Sequence, residues 1–225
     1  MSQTRVRLSP DTRREQLLDL GVQLLGSRSL DELSIDALAE EAGISRGLLY
    51  HYFRNKQEFH RAVVRRAADD LIAVTAPDPD LEPVARLTSA LAAYVDYVEA
   101  NFEPYTSLVR GAASGDQLLR EIYEDARTAL TGRIFESLAE YGLTDGPAVR
   151  LLTNGWAAMV EETVIGWVAA GRQESHEAGT QEAAEPGDVH GAGTQEAAEP
   201  GAERLSKQRL LEVLAASLPA VLSCC

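Results

Sequence analysis

The stretch SIDALAEEAGISRGLLYHYFRNK, residues 34–56, decides the fold of this chain. Ser34 and Ser45 are good N-caps, because a serine hydroxyl can accept a backbone N–H at the start of a helix. Apolar residues at helical spacing follow Ser34, and Gly43 supplies the left-handed residue that ends this helix. A second short helix then carries Leu49 inward. Two short helices joined by a glycine-containing turn are typical of a helix-turn-helix, whose helices touch closely at a steep angle.

The segment ISRGLLYHYFRNKQEF, residues 44–59, resembles the DNA-reading part of the TetR family of transcriptional regulators. The match rests on the tyrosine-x-tyrosine-phenylalanine run, closely followed by Asn-Lys at a helix start. The resemblance implies an all-α fold with an N-terminal three-helix helix-turn-helix DNA-binding domain and a C-terminal helical ligand-binding and dimerisation bundle. We place the first domain at residues 1–55, including a short arm with two arginines, and the second at 56–225.

Charge is distributed unevenly along the 225 residues, whose formal net charge is −14. Residues 1–66 hold 11 Lys or Arg against 9 Asp or Glu, whereas the remainder holds 10 against 26. Most of the acidic residues therefore lie outside residues 1–66, which we call the reading head. This arrangement still permits contact with DNA phosphates. Because the head is only weakly basic, we expect two heads to act together on DNA.

Composition and motifs narrow the class of protein. An apolar content of 45% indicates a globular chain, and no stretch approaches the roughly 20 apolar residues of a membrane span. The only cysteines are adjacent, at 224 and 225, which suits a reducing compartment. Nucleophile, phosphate-loop and dinucleotide motifs are absent, and the four histidines show no metal spacing. We therefore expect a cytoplasmic protein that is not an enzyme and needs no metal or cofactor.

Helical periodicity and breaks organise the rest of the chain. A helix opening at Pro10 should brace the helix-turn-helix, and a long helix from Lys56 to about Val74 should join the two domains. The predicted later helices are 82–102, 104–113, 115–141, 146–171 and one after residue 203.

Residues 173–203 differ in kind from the helices around them. HEAGTQEAAEPGDV (176–189) is followed by HGAGTQEAAEPGAE (190–203), a tandem repeat with 11 of 14 positions identical. Residues 174–203 carry 8 acids and no Lys or Arg, so this segment has too little apolar surface to order itself. We predict a flexible acidic loop inserted between the last two helices.

A recognition helix lies in the major groove with its first residues at base edges, which makes Arg46 the best candidate to pair with guanine. Gly47 would allow close backbone approach, and Leu48 could touch a thymine methyl. By resemblance, Tyr50, Tyr52 and Lys56 grip phosphates. Two alternatives stay open: Tyr52 as a core residue, and the neighbouring histidine as a solvated side chain. The candidate DNA-binding residues are Ser34, Ser45, Arg46, Gly47, Leu48, Tyr50, His51, Tyr52 and Lys56.

The C-terminal bundle is the candidate site for a small apolar or aromatic effector, since pockets between helices favour aromatic linings with a few polar groups. An aromatic stripe at helical spacing also occurs as plain core. The candidate ligand-binding residues are Tyr97, Phe102, Tyr105, Tyr123, Trp156 and Met159. The last two helices should form a four-helix bundle across a two-fold axis. The candidate homodimer residues are Val160, Val164, Trp167, Leu210, Leu214 and Leu218.

These inferences predict a homodimeric, ligand-responsive regulator, most simply a repressor that leaves its palindromic operator when the effector binds. One rival is a dimeric DNA-binding regulator without a small ligand, controlled by a protein partner or constitutive. Two further rivals are an enzyme that happens to carry a helix-turn-helix and an interaction protein that uses the acidic repeats.

Overall fold

The computed structural model describes residues 9–26, 30, 32–182 and 204–223. The predicted arm, the second repeat and the two cysteines lie outside these residues. The described residues form nine α-helices and no β-strand, so the predicted all-α fold is confirmed. In chain order they are α1 (Pro10–Leu25), α2 (Ile35–Glu41), α3 (Arg46–Tyr52), α4 (Lys56–Val74), α5 (Pro83–Ala100), α6 (Phe102–Ser114), α7 (Gln117–Ser137), α8 (Pro147–Glu182) and α9 (Lys207–Leu222). A short 3₁₀ helix, Leu138–Tyr141, follows α7.

The chain divides into two compact units, Met1–Gly146 and Pro147–Cys225. The first unit contains α1 to α7, and the second contains α8 and α9. The domain boundary predicted between residues 55 and 56 lies within the first unit and stays a prediction.

One apolar core unites α1, α2, α3 and the first half of α4. Leu49 and Phe53 are fully buried, and they pack with Phe59 and Val63 of α4. The Phe53 and Phe59 ring centroids are 5.2 Å apart. The reading head therefore includes the beginning of α4, because the core of a unit this small needs the large side chains that α4 supplies.

Helices α1 and α4 approach each other closely at Gly21. A Cβ built on this glycine would lie 2.6 Å from Cγ2 of Val63, so only glycine fits without a shift. Farther along, the Arg66 guanidinium of α4 forms ion pairs of 2.5 Å with Glu15 and 2.7 Å with Asp19, both on α1. Apolar packing and charge thus fix α4 to the head along its first half.

The opposite side of α4 packs on α7. Their shared apolar cluster consists of Val64, Ala68, Leu119, Ile122 and Ala126. Beside this cluster, Arg65 donates to Asp125 at 2.7 Å, and the Arg61 guanidinium lies 3.6 Å from the Glu121 carboxylate. Helix α4 therefore lies between the reading head and α7.

Two sequence-based boundaries need correction. The helix predicted to start at Pro104 begins at Phe102, because a proline in the first helical turn forfeits no intrahelical hydrogen bond. The acidic loop predicted for residues 173–203 starts later, since α8 continues to Glu182. Ala, Glu and Gln in the first repeat are good helix formers, and they extend a helix that is already nucleated. Residues 183–203 lie outside the described part of the chain.

In the second unit, α8 and α9 pack against each other. The Trp156 indole Nε1 donates to Ser217 Oγ at 2.8 Å, and the Trp167 indole Nε1 donates to the Leu205 carbonyl at 2.6 Å. The Arg204 guanidinium lies over the Trp167 ring, 3.7 Å from its centroid. The same guanidinium occupies the space that a Cβ at Gly171 would need. The contacts of Arg204 and Leu205 connect the chain entering α9 to the middle of α8, and the Trp156–Ser217 bond joins the two helices farther along α9.

Candidate nucleic-acid interface

The turn between α2 and α3 has the geometry that its sequence predicts. Gly43 has φ +62°, which favours glycine, and the Ile44 N–H donates to the Ala39 carbonyl at 3.0 Å. This is the hydrogen-bond pattern of a glycine-terminated helix, in which the residue after the glycine closes the last turn. The turn sets the direction in which α3 leaves α2.

Both serines at this motif act as N-caps. Ser34 Oγ accepts from the Ala37 N–H at 3.0 Å, and Ser45 Oγ accepts from the Leu48 N–H at 3.3 Å. Each cap uses the serine oxygen as an acceptor and leaves the hydroxyl proton to be donated. A serine cap is thus compatible with a hydrogen bond to a phosphate oxygen.

Helix α3 has one buried side and one exposed side. Leu49 is fully buried, whereas Leu48 and Tyr50 are 40% and 46% exposed. Arg46, Gly47 and His51 are also exposed, and a Cβ added at Gly47 would meet nothing within 4 Å. The first two turns of α3 therefore present a guanidinium, an apolar side chain and a phenol to solvent.

Tyr52 combines the two roles that the sequence left open. Its side chain is half-buried and packs against the head core. The His51 ring meets it edge-on, with 5.7 Å between the ring centroids. Tyr52 thus contributes to the core, and its partial exposure leaves a phosphate contact of its hydroxyl as a prediction.

Lys56 is exposed and starts α4 directly behind the recognition helix. The Asn55 carboxamide oxygen accepts from the Glu58 N–H at 2.8 Å, as expected of an N-cap. The Glu58 carboxylate accepts in return from the N–H of Arg54, at 3.1 Å. In a capping box the Glu58 carboxylate would bond the N–H of the N-cap itself, but here it bonds the N–H of the residue before the N-cap.

Asp36 lies in the first turn of α2, and its carboxylate contacts a residue of the next helix. The Arg46 Nε lies 2.5 Å from Asp36 Oδ1, across the turn that joins the two helices. Spacing along the chain could not reveal this pair, because its members are ten positions apart and belong to two helices joined by a turn. The candidate base reader is therefore held by a carboxylate of the preceding helix.

Two family models match this chain in the order that the fold requires. The model for bacterial regulatory proteins of the TetR family matches residues 17–63, and the tetracyclin repressor-like C-terminal domain matches residues 83–184. The chain belongs to the TetR family. It is a transcriptional regulator, and members of this family are generally non-enzymatic DNA-binding proteins.

Relatives and solved structures agree with this assignment. The HTH-type transcriptional activator FasR of Mycolicibacterium smegmatis is 25% identical over 164 residues, which cover 72% of this chain and 75% of the relative. The HTH-type transcriptional repressor KstR2 of the same organism is 24% identical over 139 residues, covering 61% and 68%. A crystal structure of a TetR-family regulator from Streptomyces coelicolor gives a TM-score of 0.73 at 27% identity, covering 96% of this chain and 83% of that one. The relatives thus include both an activator and a repressor.

The hydroxyls of the three candidate ligand-binding tyrosines of this TetR-family regulator already have partners. Tyr97 donates to the carbonyl of Ala67 on α4 at 2.7 Å, and the hydroxyls of Tyr105 and Tyr94 are 2.8 Å apart. Tyr123 accepts from the Arg127 guanidinium at 2.7 Å. Burial raises the pKa of the Tyr97 phenol above its usual value, and the Asp70 carboxylate adds to that rise.

The six candidate ligand-binding residues do not fall in one compact unit. The three tyrosines and the half-buried Phe102 belong to the first unit, whereas Trp156 and Met159 belong to the second. Trp156 is buried against α9, while Met159 is 41% exposed. The second unit therefore uses Trp156 as packing between its own helices.

The structure shows how far the six candidate dimer residues are already covered within a single protomer. Five of the six candidates are 0–5% exposed within the single chain, namely Val160, Val164, Leu210, Leu214 and Leu218. Side chains so fully covered have no surface left to bury against a partner. Trp167 is half-buried and donates to Leu205. Apolar periodicity identified the packed faces of α8 and α9 correctly, but it could not separate packing within a protomer from packing between protomers.

The exposed apolar side chains of α8 and α9 lie elsewhere on these helices. Leu151 is 74% exposed, Met159 41% and Val213 46%. Gly155 lies between Leu151 and Met159 at helical spacing, and nothing lies within 4 Å of a Cβ built on it. Small and apolar residues on one side of a helix suit close packing against another helix. In the described part of the chain, no helix is long and apolar enough to cross a bilayer.

Proposed function

We propose that this TetR-family regulator binds a palindromic operator as a homodimer, represses transcription there, and releases the DNA when a small apolar or aromatic effector binds. The observation that carries the DNA-binding part is the sidedness of α3. Leu49 is buried in the head, whereas Arg46, Leu48 and Tyr50 are exposed on its first turns. A guanidinium reads guanine, an apolar side chain meets a thymine methyl, and a phenol hydroxyl bonds a phosphate.

Dimerisation is proposed through the exposed faces of α8 and α9, which carry Leu151, Met159 and Val213. This face replaces the one predicted from the sequence. A symmetric dimer would place two α3 helices on half-sites one helical turn apart, roughly 34–36 Å. Repression needs no additional surface, because a dimer on the operator excludes other proteins from that duplex.

Effector response is proposed through α4. The Tyr97 phenol bonds the Ala67 carbonyl of this helix, and α4 also contributes Phe59 to the head core. An effector that displaces the Tyr97 hydroxyl would therefore act directly on the helix that carries the head. Operator affinity would fall because the two heads no longer fit their half-sites together. By linkage, operator DNA weakens effector binding by the same factor.

One observation favours the rival without a small effector. The hydroxyls of Tyr97, Tyr105 and Tyr123 are all satisfied within the protein, as expected of a plain helical core. The two functions differ in a direct measurement. A panel of small apolar and aromatic compounds should contain one that releases labelled operator, whereas the rival predicts that none does.

The DNA-binding proposal is tested with the full-length protein and a pool of random duplexes. The wild type should enrich a palindrome, and fluorescence anisotropy should give its dissociation constant. Lys56→Ala should weaken binding about equally across sequences and lower the salt slope by about two, since each head loses one phosphate contact. Arg110→Ala, at an exposed arginine of α6, is the matched control and should bind like the wild type. Failure of the wild type to enrich any palindrome would end the proposal.

A further inference from the structure

The ion pair between Asp36 and Arg46 joins the two helices of the reading motif. Asp36 lies in the first turn of α2, and Arg46 is the first residue of α3. The Arg46 Nε and Asp36 Oδ1 are 2.5 Å apart, and the two side chains are 62% and 56% exposed. The pair is therefore solvated and lies on the same surface as the exposed residues of α3.

The geometry of the pair leaves the guanine-reading edge of the guanidinium available. Arg46 contacts Asp36 through Nε, whereas a guanidinium can pair with guanine O6 and N7 through its two terminal nitrogens. A solvated arginine loses rotamer freedom when it binds a base. A carboxylate that already restrains the side chain reduces this loss, which is how preorganisation raises affinity for the correct ligand.

We propose that Asp36 is a positioning residue for sequence specificity: it holds Arg46 in the orientation that pairs with a guanine of each half-site. This inference rests on the proposed operator binding by α3. The carboxylate has a second effect of opposite sign, because a negative charge on the reading surface repels phosphates of every sequence. Asp36 thus lowers non-specific affinity while it raises discrimination at one base pair.

Two other roles for Asp36 predict different results. If the carboxylate only stabilises α2 through the helix dipole, its removal lowers stability and leaves base discrimination unchanged. If it only competes with DNA for Arg46, its removal frees the guanidinium and raises the preference for guanine. Discrimination at a single guanine therefore separates the positioning role from both.

The experiment uses the full-length protein and the operator that the wild type selects from random duplexes. Arg46→Ala identifies the guanine, which is the position where the wild type prefers guanine and this variant does not. Affinities are then measured for operators with guanine or 7-deazaguanine at that position in one half-site, and for a scrambled duplex. The variants are Asp36→Asn, Asp36→Glu as a rescue, and Glu40→Gln as a control. Glu40 is an exposed acid on the same helix.

Asp36→Asn should reduce the preference for guanine over 7-deazaguanine by about two- to fivefold, the range expected for one solvated ion pair. It should bind the scrambled duplex more tightly than the wild type. Glu40→Gln should also bind the scrambled duplex more tightly, but it should keep the wild-type preference for guanine. Asp36→Glu should restore part of the preference that Asp36→Asn loses.

If the wild type reads this guanine through Arg46 and Asp36→Asn keeps the same guanine preference, this inference is overturned. The proposed function then stays intact. A wild type that selects no operator, or one whose preference does not depend on Arg46, overturns the inference together with the role proposed for α3.

Discussion

Arg133 on α7 donates to the backbone carbonyl of Thr75 at 2.8 Å, directly beyond the C-terminal end of α4. Its guanidinium also donates to the Ile72 carbonyl at 2.6 Å and to the Thr75 hydroxyl at 3.0 Å. The last carbonyls of a helix lack intrahelical partners, and a cation there is also attracted by the negative end of the helix dipole. Burial lowers the pKa of Arg133, which reflects partial removal of this guanidinium from water.

Arg133→Ala should lower the free energy of unfolding by about 1.5–3 kcal/mol, since hydrogen bonds from a charged donor to α4 are lost. Arg133→Lys should fall between that variant and the wild type, because a lysine lacks the planar fork that reaches both carbonyls. Urea denaturation gives the free energies. Arg110→Ala removes an exposed arginine and should leave the midpoint unchanged. Equal urea midpoints for Arg133→Ala and Arg110→Ala would show that the contact of Arg133 with α4 does not stabilise the fold.

Tyr97 should make stability fall at high pH. Burial raises the pKa of its phenol, so the folded protein keeps this proton at pH values where the unfolded chain loses it. The stabilisation that the protonated Tyr97 phenol gives the folded state is therefore complete below the unfolded pKa of about 10. Above that pH it is lost progressively, and the free energy of unfolding falls by up to about 1.4 kcal/mol per pH unit.

The comparison variant for this effect is Tyr97→Phe. It should be less stable than the wild type by about 1 kcal/mol near pH 8, because the hydrogen bond to Ala67 is gone. The gap should narrow as the pH rises from about 9.5 to 11, as measured by chemical denaturation at each pH. A constant gap over this range would show that the phenol of Tyr97 ionises equally in both states.

Val213→Asp should split the proposed dimer. Val213 is 46% exposed on α9, and a carboxylate there would be buried without a partner if this face packs on a second copy. We expect the dimer dissociation constant to rise at least tenfold in sedimentation equilibrium. Val84→Asp makes the same change at a valine of α5 that is 59% exposed, and it should remain dimeric. Dissociation by both variants, or by neither, would place the interface elsewhere.

Deleting residues 190–203, the second repeat, should leave folding, dimerisation and operator binding unchanged. Helix α8 runs 11 residues beyond Gly171, a rise of about 16 Å, and the chain returns to Gly171 through Arg204. The seven residues that remain, 183–189, can span roughly 25 Å, which exceeds this distance. Circular dichroism, sedimentation and anisotropy test the three properties. Loss of function with folding intact would support the rival in which the repeats bind a partner.

The reading head could be predicted closely because its signals are local. Ser34, Gly43 and Ser45 fix helix ends through hydrogen bonds within a few residues, and the structure has each of these caps and the turn. The burial of Leu49 follows in the same way from helical spacing.

Contacts between distant elements could not be predicted in this way. The partner of Arg46 depends on the angle between two helices, and the partner of Arg133 lies 58 residues away in the chain. The dimer face stays a prediction for a related reason: helical periodicity marks Val164 and Val213 alike as apolar, although Val164 is buried within the protomer and Val213 is 46% exposed. The start of the acidic loop was placed too early because composition measures the lack of a core, whereas a preceding helix can extend into a segment without one.

The close approach of Gly21 to Val63 has a mechanical consequence for the regulator. Because there is no free volume between α1 and α4 at this point, the two helices cannot slide or bend past each other without breaking the core. Under the proposed effector response, a displacement at the far end of α4 would therefore reach α3 as a rotation of one rigid body. The DNA surface would keep its own shape throughout, so the proposed control would reorient two unchanged heads without unfolding either of them.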